Sequence, residues 1–178
     1  MRTRFFLLTG VLLLLLGRSA AAGLDPRALD ILGLRLGMTR PAVLALLAVQ
    51  GVAPAWIQEQ PGPCGTDPAV RCLAQLTAPT RDGILQIRFV APRGPGSEMI
   101  WSIAYTLAGR GAGEPEMIRA AVFERFGPPT IRDPPVWCAN AGTAGCSPSD
   151  QPQLIYREGP GTSSTLTLSD PAAFHPAP

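Results

Sequence analysis

Ile84-Leu85-Gln86-Ile87-Arg88-Phe89-Val90-Ala91 and Met99-Ile100-Trp101-Ser102-Ile103-Ala104-Tyr105-Thr106-Leu107 are the two stretches that decide the fold. In the first, Leu85, Ile87 and Phe89 alternate with Gln86 and Arg88. In the second, Met99, Trp101, Ile103, Tyr105 and Leu107 share one side, with Ser102 and Thr106 on the other. Successive side chains point to opposite faces of a strand. Alternation of this length predicts antiparallel strands with one face buried and the other free. Gln86 and Arg88 then fall on the free face, where a partner could meet them.

Outward from this pair, the apolar run Arg71 to Ala78 predicts a preceding strand, joined by a turn at Arg81-Asp82-Gly83. Residues 52–70 hold Pro54, Pro61, Pro63, Pro68 and two glycines, and read as loop. Before them, Gly37–Gly51 (GMTRPAVLALLAVQG) predicts a helix. Thr39 stands at its N-cap, Pro41 in its first turn and Gly51 at its stop, with Val43, Leu46, Leu47 and Val49 as the apolar side. Leu24 to Leu36 leads into it. Seventy-six residues downstream, Gly113–Gly127 (GEPEMIRAAVFERFG) predicts a second helix, over Pro115 to Phe126. Strands are expected near Val136–Asn140, Gln153–Glu158 and Thr165–Ser169, and DPAAFHPAP at 170–178 as a frayed tail.

Each helix is followed by a Cys-x7-Cys pair, Cys64 with Cys72 and Cys138 with Cys146, offset by 74. Nearly equal spacings of helices (76) and cysteines (74) suggest two tandem copies of one unit. The expected fold class is therefore α+β: two tandem helix-plus-three-strand repeats, an antiparallel sheet with helices packed on one face.

The N-terminus reads as an export address. Arg2 and Arg4 precede the apolar run Phe5 to Leu16, and Ser19-Ala20-Ala21-Ala22 offers cleavage after Ala21 or Ala22. The run is short for a bilayer span, and no Cys follows it to carry a lipid. Removing Arg2, Arg4 and Arg18 with the leader leaves 12 arginines against 13 acidic residues. No basic cluster remains to track phosphates, so nucleic acid is not an expected partner. The chain has no Lys, and with 20 Pro and 19 Gly it matches the composition of GC-rich bacterial genomes.

Four cysteines in an exported chain read as disulfides. Three pairings exist, and the duplicated spacing favours Cys64–Cys72 and Cys138–Cys146. Cys-x7-Cys is not zinc spacing, and the single His is His175 in the tail, so no metal or cofactor is expected.

Chemistry-bearing motifs are sparse. Nucleophilic catalysis needs a base and an orienter, and His175 stands between Phe174 and Pro176 near the end. Glu114 and Glu116 fall in a helix's first turn, where carboxylates favour the positive end of the dipole. Trp56 and Trp137 each precede or adjoin a cysteine loop, and serve either as binding hot spots or as packing under the helices. The chain is not expected to be an enzyme.

The string Gly37-Met38-Thr39-Arg40-Pro41-Ala42-Val43 resembles the Gly-Met-Thr/Ser-x-x-x-Val helix start of the BamE-like (SmpA/OmlA) envelope proteins, which share a fold with the β-lactamase inhibitory protein. Phe126-Gly127-Pro128-Pro129 is similar to the family's Gly-x-Pro helix ending. The chain departs from those lipoproteins in lacking an N-terminal Cys, and its second copy has Gly113-Glu114-Pro115 in place of Gly-Met-Thr. The resemblance implies a non-enzymatic envelope module that binds another protein. With the signal peptide expected over residues 1–22 and a flexible tail over 170–178, the resemblance implies BamE-like repeats over 23–108 and 109–169. The expected site is a partner surface of Gln86, Arg88, Trp56 and Trp137 on a periplasmic or secreted protein. The alternatives are an inhibitor that plugs a secreted enzyme with residues 57–68 or 139–152, and an envelope enzyme using carboxylates.

Overall fold

The computed structural model describes residues 24–64, 67–108, 114–139, 146–147 and 151–174. The leader, the linker 109–113, His175 and most of 139–152 lie outside the described residues.

Among the described residues, two α-helices and eight strands follow one another as α1 (Arg40–Val49), β1 (Gln58–Cys64), β2 (Asp67–Pro79), β3 (Gly83–Val90), β4 (Met99–Ala108), α2 (Glu114–Phe126), β5 (Ile131–Arg132), β6 (Pro135–Cys138), β7 (Gln153–Glu158) and β8 (Ser163–Ser169). All the strands join one antiparallel sheet in the order β1-β2-β3-β4-β8-β7-β6-β5. This overturns the expected fold class. The molecule is not two helix-plus-three-strand repeats but a single eight-stranded sheet, with four strands after each helix. Two strands escaped the sequence pattern for physical reasons. β1 carries Pro61, Gly62 and Pro63, which read as loop, yet proline is tolerated on an edge strand and at bulges. β1 is such an edge, with register shifts at Gln60/Pro61 and Pro63/Cys64. β5 has only two residues, too few for any period to register.

The helix stops follow the sequence. Gly51 at φ +80° and Gly127 at φ +73° adopt the left-handed conformation that ends a helix, which a side chain would resist. Thr39 occupies the N-cap position of α1, but its hydroxyl makes no capping bond. Val49, expected on the apolar side of α1, is 86% exposed. Val43 and Leu47, one helical turn apart, are the buried pair.

One row of paired residues crosses six strands: Leu76, Ile87, Ile103, Leu168, Leu154 and Trp137. All six are buried and form one cluster with Val43 and Leu47 of α1 and Val122 and Phe126 of α2. Each such aliphatic side chain removed from water contributes about 1.5–3 kcal/mol before entropy is subtracted. Between the helices lies the segment Asp30–Leu36. Its tight turn has Leu32 at φ +54° and Gly33 at φ +78°. Gln50 Nε2 donates to the Leu32 carbonyl at 2.6 Å, and Arg125 Nη2 meets Asp30 Oδ1 at 2.9 Å, tying this segment to both helices.

One face assignment changes. β3 and β4 shift register between Arg88 and Phe89, with Arg88 opposite Ser102 and Phe89 opposite Ile100. Trp101 is left as the extra, unmatched residue of a bulge. Ile100, 1% exposed, therefore takes the core position expected for Met99 and Trp101, which are half-buried.

The expected frayed tail is docked at its start. The Asp170 backbone N–H donates to the Trp101 carbonyl at 2.8 Å, Arg27 Nε reaches Asp170 Oδ2 at 2.9 Å, and Pro171–Phe174 forms a 3-10 turn. The chain forms the disulfides Cys64–Cys72 and Cys138–Cys146, each with eight residues of separation. Two such bonds suit an oxidising compartment. Among the described residues, no helix is long and apolar enough to cross a membrane.

Candidate functional site

The helices cover one face of the sheet. The other carries a second set of paired rows. Thr77, Gln86, Ala104, Thr167 and Ile155 form one; Ile84, Thr106, Thr165 and Arg157 form the next. A third runs through Gln75, Arg88, Ser102, Ser169 and Gln153. In this third row Ser102, Ser169 and Gln153 are buried, so the open window spans the first two rows and the β2–β3 end of the third. Gln86, Arg88, Ile84 and Arg157 are exposed there, and Thr77, Ala104, Thr106, Thr165, Thr167 and Ile155 are half-buried.

The centre of the window is short-chained, hydroxylated and uncharged, with Arg88 and Arg157 at its borders. Thr106 Oγ1 and Thr165 Oγ1 lie 3.2 Å apart across the β4–β8 seam, and Gln75 Nε2 donates to Thr77 Oγ1 at 3.4 Å. Threonine methyls between such hydroxyls offer apolar contact, while the hydroxyls keep capacity to donate and accept. Strand pairing holds all of these groups in register.

Four carboxylates away from the window are matched with arginine, while Asp133 lines a cleft with Glu158. Glu59 meets Arg40 at 2.7 Å, Asp30 meets Arg125 at 2.9 Å, Asp170 meets Arg27 at 2.9 Å and Glu158 meets Arg119 at 3.6 Å. A cleft of about 580 Å³ lies at the β5–β7 end and is lined by Arg119, Arg132, Asp133, Pro134, Pro135, Tyr156, Arg157 and Glu158.

The four expected surface residues separate. Gln86 and Arg88 are brought together on the open face. Trp56 is 60% exposed, but it lines a cleft with Leu32, Gln50 and Tyr105, on the helix-bearing side. Trp137 is 1% exposed and offers no surface to a partner. Its Nε1 donates to the Gly127 carbonyl at 3.0 Å, and Phe123 and Phe126 meet it edge-on. It packs under the end of α2, because its place in β6 puts it in the core row. The enzyme-plugging loop proposed at 57–68 is, over Gln58–Cys64, a paired strand closed by Cys64–Cys72.

Thr165, Thr167 and Arg157 belong to the same face and were missed by the sequence reading. A signal for them existed: Thr165 and Thr167 alternate with Leu166 and Leu168, and Ile155 and Arg157 with Leu154 and Tyr156. Comparison of the chain with family models, curated proteins and solved structures returns no match.

Proposed function

We propose that this is an exported, non-enzymatic protein-binding module of the bacterial envelope, which holds another envelope protein against the open face of its sheet. The observation that carries this reading is a window of threonine, glutamine and alanine on the face of the sheet opposite the helices, where Gln86 is exposed and Thr77, Ala104, Thr106, Thr165 and Thr167 are half-buried. The edges are poor alternatives. Strand addition needs a free row of backbone donors and acceptors. β1 presents two prolines there, and β5 is two residues long. Recognition through the face leaves the sheet intact and uses its preset geometry. The Gly37–Val43 resemblance to the BamE-like envelope proteins supports the same manner of working.

A photoreactive side chain placed at Ala104, in the centre of the window, tests this in cells. It should cross-link to another envelope protein, whereas the same group at the exposed Met117 of α2 should not. Cross-linking from Met117 with none from Ala104 would move the interaction to the helical side.

A further inference from the structure

We infer that the surface recognised by the open face is acidic, with carboxylates placed to meet Arg88 and Arg157; this rests on the reading of that face as a protein-binding surface. Both arginines are exposed, and neither has an ion-pair partner among the described residues. Four arginines elsewhere have a carboxylate within 4 Å. The exposed Arg35, Arg93 and Arg132 have none among the described residues, so what sets Arg88 and Arg157 apart is their place on the open face. The window itself contains no carboxylate. Within its own rows the charge is therefore of one sign, with Asp133 and Glu158 lining the cleft that Arg157 borders.

The two arginines stand at opposite corners. Arg88 pairs with Ser102, Ser102 with Ser169 and Ser169 with Gln153, which carries the line three strands across. Arg157 lies four residues further along β7. With about 4.8 Å between strands and about 3.3 Å per residue, the backbone separation is on the order of 20 Å. The space between is uncharged: Gln86, Ala104, Thr106, Thr165 and Thr167. A neutral centre with charged corners places the guanidinium groups at the rim, where complementary charge speeds encounter and fixes orientation. Arginine's planar fork suits bidentate pairing with a carboxylate. A second copy of this chain is a poor occupant, since it would set arginine against arginine across the same neutral field.

The test uses a phage-displayed library of random peptides, panned on the disulfide-bonded protein. The selected peptides should be enriched in Asp and Glu. The affinity of a selected synthetic peptide should fall at least tenfold on the Arg88→Glu/Arg157→Glu double variant, with an unchanged melting curve. Arg35→Glu, exposed on the helix-bearing side, should leave it unaltered. Ala104→Trp, which blocks the window sterically, should also abolish binding. Peptides that respond to Ala104→Trp but lack acidic residues, or that bind the double variant within twofold, overturn the acidic-partner inference and leave the face reading standing. Peptides indifferent to Ala104→Trp overturn the face reading and this inference with it.

Discussion

Arg88 and Phe89 are neighbours in β3, yet one is exposed and the other is 5% exposed in the core. The face division of the whole sheet passes between them. Phe89→Ala should cost roughly 3–5 kcal/mol, because it removes apolar burial and leaves a cavity. Arg88→Ala should stay within about 0.5 kcal/mol, as expected for an exposed site. Urea titrations of the two variants measure both. A reversed order would mean that every side chain of β3 faces the other way.

The two tryptophans expected at a partner surface should behave differently. Trp137→Ala should destabilise by roughly 3–5 kcal/mol, through cavity formation and loss of the Nε1 bond to Gly127. Trp56→Ala should change stability by no more than about 1 kcal/mol, since its ring is mostly in solvent. Acrylamide should quench Trp56 fluorescence and leave Trp137 largely shielded. Equal quenching in single-tryptophan variants would contradict the placement of Trp137 in the core.

Two ion pairs differ in burial and should differ in worth. Arg40–Glu59 has both partners well exposed, and Arg40→Ala should cost no more than about 1 kcal/mol. Asp170 is largely enclosed, its side chain 10% exposed, and only its Oδ2 is held, by Arg27. Arg27→Ala leaves that carboxylate buried and unpaired, and should cost on the order of 2 kcal/mol. Thermal melts of both variants under one buffer compare them. An Arg40 effect larger than that of Arg27 would show that Asp170 is not enclosed as described.

The disulfides close short loops. In the chain-entropy account, cross-linking about eight residues stabilises by roughly 2–3 kcal/mol. Cys64→Ser/Cys72→Ser should lose about that much. Non-reducing peptide mapping should recover Cys64 with Cys72 and Cys138 with Cys146, and a link between the two pairs would refute the local loops.

The sequence made some of this legible because one face of each strand is buried. Leu85, Ile87 and Phe89 against Gln86 and Arg88 place β3, and with it part of the candidate site, from alternation alone. The same period in β7 and β8 would have added Arg157, Thr165 and Thr167, but their leucines sit among serines and threonines that blur the contrast. The strand count failed where backbone pairing is not written in side chains. β1 is held by hydrogen bonds to β2 and by Cys64–Cys72, despite its two prolines. The Trp101 bulge was also invisible, because pairing with β3 sets it and local alternation does not. Nearly equal spacings of helices and cysteines suggested two helix-plus-three-strand copies, whereas each helix is followed by four strands and β4 pairs with β8 to make one sheet.

Methyl-labelled NMR tests the open face most directly. The protein cross-linked from Ala104, once purified, is titrated into chain labelled at its threonine and isoleucine methyls. The account predicts that Thr77, Thr106, Thr165 and Thr167, with Ile84 and Ile155, shift or broaden, while Ile31 and Ile118 on the helix-bearing side hold still. Perturbation confined to Ile31 and Ile118, with the threonine methyls unmoved, would contradict it.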